Sequence, residues 1–287
     1  MPELPEVQTI ITDLNEKIKG DTVVSFWTDW GKTIKNKSAE RFTKEIGGRK
    51  ILGVRRIGKN IFLDLSGGKT LYIHLKMTGH LLVKSSKLKV KSDGKNYFDD
   101  KVNQYVHHIW KLKSGRTLEF SDLRKFGKIV LEDTDKINFL KEIKALGVDA
   151  MSEEFTFAKF HEILDRKKKS PVGLLLMDQN LIAGIGNIYR SEILFDAEIL
   201  PTRRIETIDL LERKKLYASI GKILKKAIKY RGTSDSDYRD TSGAPGGYQK
   251  IARVYRRDKQ VCQKCGTIIK REVLGQRSIF FCEKCQK

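Results

Sequence analysis

The sequence contains little cysteine and no long apolar run. Its four cysteines all fall within the last 26 of 287 residues, so a disulfide framework cannot hold most of the chain together. No apolar segment approaches the roughly 20 residues needed to span a bilayer, and the N-terminal residues lack the basic and apolar regions of a secretory signal. These absences argue against a membrane-spanning or secreted protein, and we expect a cytoplasmic one.

Acidic residues are also scarce relative to basic ones. Lys and Arg number 57 against 36 Asp and Glu, which gives a formal net charge of +21. Such a charge favours a polyanionic partner, either nucleic acid or an acidic membrane surface, and the length allows two domains. Nucleic acid is the first expectation. A basic protein without such a partner is the alternative, because net charge alone says little about function.

The cysteines form two close pairs, Cys262-Gln-Lys-Cys265 and Cys282-Glu-Lys-Cys285, separated by 16 residues. This spacing is typical of a zinc ribbon. Four thiolates complete a closed tetrahedral site, so we expect one structural Zn²⁺ ion. Two disulfides are the alternative, which the absence of a secretory signal disfavours. Residues 248–287 contain eleven Lys or Arg and three Asp or Glu, a balance suited to binding phosphates.

The N-terminal residues read Met1-Pro2-Glu3-Leu4-Pro5-Glu6. If Met1 is removed, Pro2 presents a secondary amine with a pKa near about 8, which is partly neutral at physiological pH and can attack an electrophilic carbon. Glu3 is placed to move the protons that such chemistry needs. The structural alternative is that Pro2 only leads into a helix whose first turn favours Glu.

The first half of the chain is dominated by strand and turn signals. A leading helix is predicted first, because Val7, Ile10, Leu14 and Ile18 recur at helical spacing before Gly20. Strands are predicted at 23–27, 50–56, 61–65, 70–75, 106–112, 117–120 and 128–132, with turns at Gly67-Gly68 and Ser114-Gly115. These short antiparallel connections favour a β-sandwich or barrel-like domain. The lysine-rich segment 84–101 predicts a long loop inside it.

From about Ser152 the hydrophobic period becomes helical. A first helix passes through 157–164, and Ser170 and Pro171 are predicted as the N-cap and first residue of a second helix that continues through 174–177. A turn at 180–186 follows, then a helix from Asn187 and a basic helix at 210–230. Residues 231–247, rich in Gly, Ser, Asp and Thr, predict a flexible loop.

The Gly184-Ile185-Gly186-Asn187 turn precedes one of these helices. Glycines there allow close backbone approach, and the N–H groups at the start of the helix can bind a phosphate. A tight packing turn is the alternative. No strand is predicted directly before it, so a dinucleotide-binding fold is disfavoured.

Four separated motifs resemble those of the formamidopyrimidine-DNA glycosylases, a base-excision repair family that includes endonuclease VIII. They are residues 1–6, Ser121-Asp122-Leu123-Arg124-Lys125-Phe126-Gly127, Met177-Asp178-Gln179 through Gly184-Ile185-Gly186-Asn187-Ile188-Tyr189, and the zinc finger with Arg277. The resemblance implies an α+β multidomain fold, with an N-terminal β-sandwich and leading helix, a helix–two-turn–helix domain and a C-terminal zinc ribbon. The expected domains are a catalytic sandwich at 1–135, a linker at 136–151, the helix–two-turn–helix domain at 152–235, a lesion-recognition loop and connection at 236–257, and the zinc finger at 258–287.

The family's chemistry implies roles for five residues. Pro2 attacks C1′ of the damaged nucleotide and displaces the base, while Glu3 shuttles protons and Glu6 supports the N-terminal site. Lys59 and Arg277 act at phosphates near the sugar. The resulting iminium permits β- and δ-elimination, so the enzyme would also nick abasic sites.

The resemblance also implies residues that bind DNA once the damaged base is flipped out of the duplex. Met77 and Phe126 would wedge the stack and Arg124 would pair with the orphaned base, as inserted side chains do in other DNA complexes. Met77 in an ordinary core is the alternative. His74 and Asn187 would contact phosphates, Tyr189 would join them, and the lesion loop would contribute Tyr238, Arg239 and Asp240. The implied partner is damaged double-stranded DNA, bound by a monomer at the bacterial nucleoid.

Several positions depart from the family pattern. Leu123 and Lys125 replace the usual Pro and Arg, Gly173 stands where many relatives have lysine, and the 232–240 loop has an unusual sequence. Leu4 and the Met77, Arg124 and Phe126 set favour oxidised purines, namely 8-oxoguanine and formamidopyrimidines.

Three other functions are weighed against this one. They are an endonuclease VIII-like glycosylase for oxidised pyrimidines, a non-catalytic damage-binding zinc protein, and a metal-dependent nuclease. The nuclease lacks a convincing carboxylate cluster in the sequence, and its only strong metal site would be closed. The non-catalytic protein would need neither Pro2 nor Glu3.

Overall fold

A computed structural model describes residues 1–85, 96–235 and 237–287. The chain divides into two units, each made from two stretches of sequence. The first unit comprises Met1–Lys144 and Tyr230–Gln249, and the second comprises Ala145–Lys229 and Lys250–Lys287. These packing units are a different division from the predicted functional domains, whose boundaries stay a prediction.

The first unit contains two antiparallel four-stranded sheets. One has the order β1-β6-β7-β5 and the other β2-β3-β4-β8. The strands are β1 (Val23–Thr28), β2 (Ile51–Ile57), β3 (Asn60–Leu65), β4 (Lys69–His74), β5 (His80–Ser85), β6 (Val106–Leu112), β7 (Arg116–Ser121) and β8 (Lys128–Asp133). The predicted β-sandwich is therefore confirmed, including the hairpins at Gly67-Gly68 and Ser114-Gly115.

Three helices belong to the same unit: α1 (Leu4–Ile18), α2 (Ala39–Ile46) and α3 (Lys141–Lys144). The apolar stripe predicted for α1 is buried, as expected when such a face packs against strands. Sequence patterning missed α2, which buries only Phe42 and Ile46. It also missed β5, whose last two residues, 84 and 85, fall inside the predicted 84–101 loop. Residues 86–95 of that loop lie outside the described residues.

The second unit contains the predicted helices. They are α4 (Phe157–Asp165), α5 (Val172–Leu175), α6 (Asn187–Ala197) and α7 (Leu210–Lys229), with short strands β9 (Val148–Asp149) and β10 (Ile182–Ala183) and the hairpin β11 (Lys270–Leu274) and β12 (Arg277–Phe281). The predicted cap of α5 is wrong by one residue: Pro171, with extended backbone, is the N-cap, and α5 ends at Leu175. The turn predicted at 180–186 contains β10, which pairs in parallel with β9.

Short 3₁₀ turns complete the described structure, at Gly31–Thr33, Tyr97–Asp99, Lys101–Gln104, Ile137–Phe139, Ile205–Thr207 and Tyr248–Lys250. In the parts of the chain that are described, no helix is long and apolar enough to cross a membrane.

The segment predicted as a flexible loop, 231–247, packs onto the first unit. Among its described residues no helix or strand occurs. Val83 N–H donates to the Thr241 carbonyl at 2.8 Å, and the Lys17 ammonium donates to the Thr241 and Ser242 hydroxyls at 2.7 Å. Tyr238 is buried in the sandwich core. Hydrogen bonds to Thr241 and Ser242 and the burial of Tyr238 thus hold in place a segment whose composition predicted a flexible loop.

Candidate functional site

The N-terminal residues form a buried acidic site at the start of α1. Glu3 is the N-cap, and the Glu6 carboxylate accepts a hydrogen bond from the Glu3 N–H at 2.7 Å, one half of a capping box. Both side chains are buried, with 3% and 1% exposure. Pro2 is also buried, next to an exposed Met1. Its nitrogen becomes an amine only when Met1 is removed.

Glu6 also joins the N-terminal site to the start of the 232–240 loop. Its second oxygen accepts a hydrogen bond from Thr233 N–H at 2.6 Å. A Cβ at the neighbouring Gly232 would lie 2.6 Å from the same oxygen, and φ there is +80°. Only glycine meets both requirements at low cost. This geometry suits the supporting role predicted for Glu6.

Lys59 lies in the two-residue turn between β2 and β3, where Ile57 pairs with Asn60. Lys59 is buried, with 6% exposure. His74, at the end of β4, accepts a hydrogen bond at Nδ1 from Lys76 N–H at 2.9 Å. Burial, together with Lys76 and Lys59, lowers the pKa of His74 to about 3. The imidazole is therefore neutral, and with Nδ1 accepting, its Nε2–H is a donor suited to a phosphate oxygen.

Two loops lie side by side at one end of the sandwich because of strand register. Residues 75–79 connect β4 to β5, and residues 122–127 connect β7 to β8. His80 pairs with Ser121, and His74 pairs with Lys128, so both ends of the two loops are adjacent. Lys76 and Lys125 have positive φ of 55° and 57°. Strained non-glycine backbone of this kind is found preferentially at functional sites.

The loops bring together the three predicted wedge residues. The Arg124 guanidinium donates to the Met77 sulfur at 3.1 Å and lies 4.7 Å from the centre of the Phe126 ring. Met77 is 43% exposed and Phe126 54%. Apolar side chains that are exposed next to one another often mark a site of interaction with a partner. The alternative that Met77 belongs to the core is wrong.

A buried carboxylate that sequence reasoning did not single out holds these loops together. Asp122, 3% exposed, accepts hydrogen bonds from the Thr78 hydroxyl, from Arg124 N–H at 3.3 Å and from Gly127 N–H at 2.8 Å. The Thr78 hydroxyl in turn accepts from Arg124 N–H at 3.1 Å. The signal available was only the position of Asp122 inside the motif, because its partner Thr78 is 44 residues away.

In the second unit, the helix–two-turn–helix turn leads into α6. The Gln179 side chain closes it, donating to the Ile185 carbonyl at 2.7 Å and accepting from Gly184 N–H at 3.0 Å. Gly186 is the N-cap and Asn187 the first helical residue. Tyr189 is fully buried, so any contact with DNA would involve its backbone in the first turn of α6.

Asn187 lines a cavity of about 540 Å³ together with Arg256, Arg271 and Arg277. Arg277 is the first residue of β12 and is exposed. Behind the cavity, the buried Glu192 carboxylate accepts hydrogen bonds from the backbone N–H groups of residues 253–255 at 2.8 to 2.9 Å, which fixes the segment that leads to Arg256. Three guanidinium groups and one carboxylate, that of Asp258, line this concave surface, so its formal charge is positive and suits an anion.

Arg190 lies beneath this cavity and is fully buried. Its guanidinium donates to the Asn187 side-chain oxygen, to the Ser278 carbonyl at 3.1 Å and to the Gly173 carbonyl at 3.2 Å. A Cβ at Gly173 would lie 2.8 Å from the Pro201 carbonyl oxygen, so the close packing there leaves no room for a longer side chain. Sequence reasoning missed Arg190 because an arginine in a helix is usually exposed.

The four cysteine sulfurs lie within 4.8 Å of one another, with separations of 3.9 Å between Cys262 and Cys285 and 3.4 Å between Cys265 and Cys282. A tetrahedral zinc site with bonds of about 2.3 Å has edges of about 3.8 Å. All four thiols are free and too far apart for disulfide bonds. The residues fit one structural zinc ion, as predicted, and the disulfide alternative is wrong.

The predicted lesion-loop side chains are held by protein groups. Asp240 accepts from the Arg231 guanidinium at 2.7 Å and from Ser242 and Ala244 N–H groups at 2.8 and 3.0 Å. Arg239 donates to Asp100 at 2.8 Å. Burial raises the pKa of Tyr238 well above its usual value. Contact of these three residues with a flipped base stays a prediction, and Ser236, two residues before Tyr238, lies outside the described residues.

Three family models match successive parts of this chain. Residues 1–129 match the formamidopyrimidine-DNA glycosylase N-terminal domain, residues 146–238 its H2TH domain, and residues 259–287 the zinc finger found in FPG and IleRS. The chain belongs to the formamidopyrimidine-DNA glycosylase family. The predicted fold class and zinc finger are thereby confirmed.

Relatives within this glycosylase family cover the whole chain. The formamidopyrimidine-DNA glycosylase of Pelotomaculum thermopropionicum is 37% identical over 287 residues, covering 100% of this chain and 99% of that protein. The enzyme of Carboxydothermus hydrogenoformans is also 37% identical and covers 100% of both. The structure of Lactococcus lactis Fpg in complex with abasic-site DNA matches with 29% identity and a TM-score of 0.85, covering 99% of each chain.

Proposed function

We propose that this protein is a DNA repair glycosylase that removes oxidised purines from duplex DNA and then nicks the abasic site. The observation that carries the proposal is the Met77, Arg124 and Phe126 cluster, built by two loops of the unit that also contains the buried Pro2 and Glu3 site. A wedge fills the space left by a flipped base, and an amine displaces it. Membership of the glycosylase family supports both parts.

The proposed mechanism starts from a flipped nucleotide, because the glycosidic bond cannot be reached inside the stack. The Pro2 nitrogen, freed of Met1, attacks C1′ as the C1′–N bond to the base breaks. Ring opening transfers a proton to the sugar oxygen and leaves an iminium. Glu3 carries this proton from the Pro2 nitrogen, which loses it after the attack, and Glu6 holds the N-terminal backbone in place.

The iminium makes the C2′ protons acidic, since the cationic nitrogen accepts the electron pair released on deprotonation. Loss of a C2′ proton expels the 3′-phosphate, and a second elimination expels the 5′-phosphate. Lys59, His74, Asn187 and Arg277 are proposed to bind the phosphates, where hydrogen bonds from cations and neutral donors stabilise the departing charge. The Tyr238, Arg239 and Asp240 loop and the Tyr189 backbone are proposed to complete the contacts.

Borohydride trapping tests this proposal. Reduction of the iminium on abasic or 8-oxoguanine duplex DNA should yield a covalent adduct whose peptide maps to Pro2. Pro2→Gly should reduce trapping by about tenfold or more, since it replaces the reactive secondary amine. Pro5→Ala is the matched control, because Pro5 lies in the same helix turn but does not carry the reactive amine. This variant should trap like wild type. An intact or blocked N-terminus in active enzyme would refute the mechanism.

Oxidised pyrimidines are the second candidate substrates. One matching structure is Lactococcus lactis Fpg bound to DNA containing an oxidised pyrimidine, and another is the same protein with an N7-benzyl-Fapy-dG lesion. Single-turnover excision from duplexes with 8-oxoguanine, a formamidopyrimidine and an oxidised pyrimidine will rank them. We expect the two purine lesions to react faster.

The two relatives named above are bacterial proteins. We propose that this protein acts as a monomer in the bacterial cytoplasm, in association with the nucleoid. A fluorescent fusion that fails to overlap with DNA stain in living cells would contradict the proposed location.

A further inference from the structure

A buried arginine, Arg190, lies beneath the arginine-lined cavity. Removing a guanidinium from water is costly unless its donors are satisfied, and a well-packed apolar side chain at such a position is often at least as stable. Arg190 is nevertheless fully buried and joins α5, α6 and β12 through Gly173, Asn187 and Ser278. Two of these three partners lie at the cavity lining.

The contact with Asn187 fixes which end of its amide faces outward. A guanidinium has only donors, so the Asn187 atom that it contacts must be the oxygen. The –NH₂ group is then turned away from Arg190, and Asn187 is only half-buried where it lines the cavity. Without the arginine, rotation of the amide by half a turn would present an acceptor to an anion.

The contact with Ser278 acts on the neighbouring residue. Ser278 follows Arg277 at the start of β12, and its carbonyl accepts from the same guanidinium nitrogen that contacts Asn187. One buried nitrogen therefore joins the first residue of α6 to the start of strand β12 in the zinc hairpin. Asn187 and Arg277, the residue before Ser278, are both proposed above as phosphate ligands.

We propose that Arg190 is a positioning residue, which turns the Asn187 amide so that its –NH₂ group, beside Arg277, donates to a phosphate group of the bound DNA. This inference rests on the proposed function. It differs from a purely structural role, in which Arg190 would only join three elements and would act on DNA binding independently of Asn187.

A double-mutant cycle separates the two roles. Dissociation constants for a duplex with a tetrahydrofuran abasic analogue are measured for wild type, Arg190→Met, Asn187→Ala and the double variant, at one salt concentration. Each single change should weaken binding by about tenfold, and the double variant should be little weaker than Asn187→Ala, since coupled contacts are not additive. Additive losses would overturn the inference. Arg213→Met, which removes another buried arginine from the second unit, should show no coupling with Asn187.

Asn187→Asp provides a second test. It keeps Arg190 in place, so it does not depend on whether variants of Arg190 fold. A carboxylate still accepts from Arg190 and adds an ion pair, so Tm should rise at neutral pH. The Arg190 charge should lower the pKa of the new carboxyl group, so the gain in Tm should be lost as pH falls through that lowered pKa. DNA binding should nevertheless be weaker than in Asn187→Ala, because an acceptor now faces the phosphate. A lower Tm at neutral pH than wild type would overturn the inference.

These outcomes are distinguishable from failure of the proposed function. If wild-type protein neither binds the abasic duplex nor excises a damaged base, the glycosylase proposal fails. If wild type does both and the cycle shows additive losses, only the role of Arg190 fails.

Discussion

A single buried carboxylate, that of Asp122, determines the arrangement of two exposed loops. Its oxygens accept from Thr78 in one loop and from Arg124 and Gly127 in the other. Hydrogen bonds that a carboxylate accepts are stronger than those between neutral groups. The wedge side chains can therefore be exposed while their loops stay in a fixed conformation, because Asp122 holds the two loops together from beneath.

Asp122→Asn should disrupt this arrangement without changing side-chain volume. The substitution replaces one carboxylate oxygen of Asp122 by an –NH₂ group, which faces a hydrogen-bond donor of the loops. An unsatisfied buried polar group lowers the free energy of unfolding by about 1–3 kcal/mol. We expect excision from duplex DNA to fall by about tenfold or more, while trapping on single-stranded abasic DNA, which needs no wedge, stays close to wild type. Asp64→Asn, which alters a partly exposed carboxylate on β3 paired with Arg55, is the control. Equal loss on both substrates would contradict the positioning role.

Motifs supplied the identities of the catalytic and wedge candidates, and no property of Met77 alone distinguished a wedge from core. The partners that fix these residues were not predictable. Thr78 and Asp122 are 44 residues apart, and Arg190 and Ser278 are 88 apart. Hydrogen bonds at such separations depend on strand register and helix packing, which local patterns do not encode.

At the scale of elements, the zinc hairpin shows why a small module needs a metal. Its hydrophobic cluster contains only six buried residues, and two of these are the ligands Cys262 and Cys282 themselves. The others are Phe195 of α6, Val254, Ile269 and Phe280. A core of this size cannot hold β11 and β12 without cross-links.

Removal of zinc should therefore unfold the hairpin and release Arg277 from its position. We expect chelation, or Cys282→Ser, to abolish measurable binding to the abasic duplex, since binding energy of the metal is folding energy for such sites. Circular dichroism and tryptophan fluorescence should show that the sandwich, which contains all three tryptophans, stays folded. Unchanged DNA affinity in chelator, with zinc shown to be absent, would contradict this prediction.

Elements with strong periodicity were predicted from the sequence, including α1, α6, α7 and seven of the eight sandwich strands. The eighth, β5, was missed because its end runs into lysine-rich sequence, although pairing with β7 buries its first four residues. The α2 helix was missed because a helix of eight residues with only two buried apolar side chains gives a weak hydrophobic periodicity. In both cases a tertiary neighbour supplied the stability that local sequence lacks.

At the scale of the whole molecule, the charge of +21 predicts a strong dependence of DNA binding on salt. Each phosphate neutralised by Lys or Arg contributes about −0.9 to the slope of log K against log salt concentration. We expect a slope of several units for undamaged duplex DNA. Arg277→Ala should reduce its magnitude by about one, whereas Arg41→Ala, on α2 and paired with Glu45, should leave it unchanged. A flat salt response would refute phosphate binding.

Buried histidines should make the stability of the first unit depend on pH. His108 stacks between Phe26 and Phe120, at ring distances of 6.0 and 5.8 Å, and burial followed by repulsion from His107 lowers its pKa to about 4. Unfolding restores a pKa near about 6.5, so the unfolded state binds a proton that the folded state does not. Stability is full above about pH 6.5 and falls as pH drops towards 4.

The measurement is the unfolding free energy of wild type and His108→Gln between pH 7.5 and 5, followed by the fluorescence of the three tryptophans, of which Trp110 lies 6.1 Å from the His108 ring. The variant should lose less stability on acidification, with the remaining slope due to groups such as His74, whose pKa is also lowered. Parallel pH profiles for the two proteins would contradict the assignment to His108.

The sequence by itself determined the chemistry that this protein can offer: Pro2 and its neighbouring carboxylates, four thiolates at zinc-binding spacing, a surplus of cations, and the alternation that makes a sandwich. Those are properties of residue type and local spacing. Only the tertiary structure decided that Met77, Arg124 and Phe126 form one exposed cluster, with Asp122 buried behind it. It also decided that Arg190 is buried behind the arginine-lined cavity, and that the described part of 231–247 is anchored to the sandwich. Each of these depends on which distant segments pair, and that is settled by burial of the whole core.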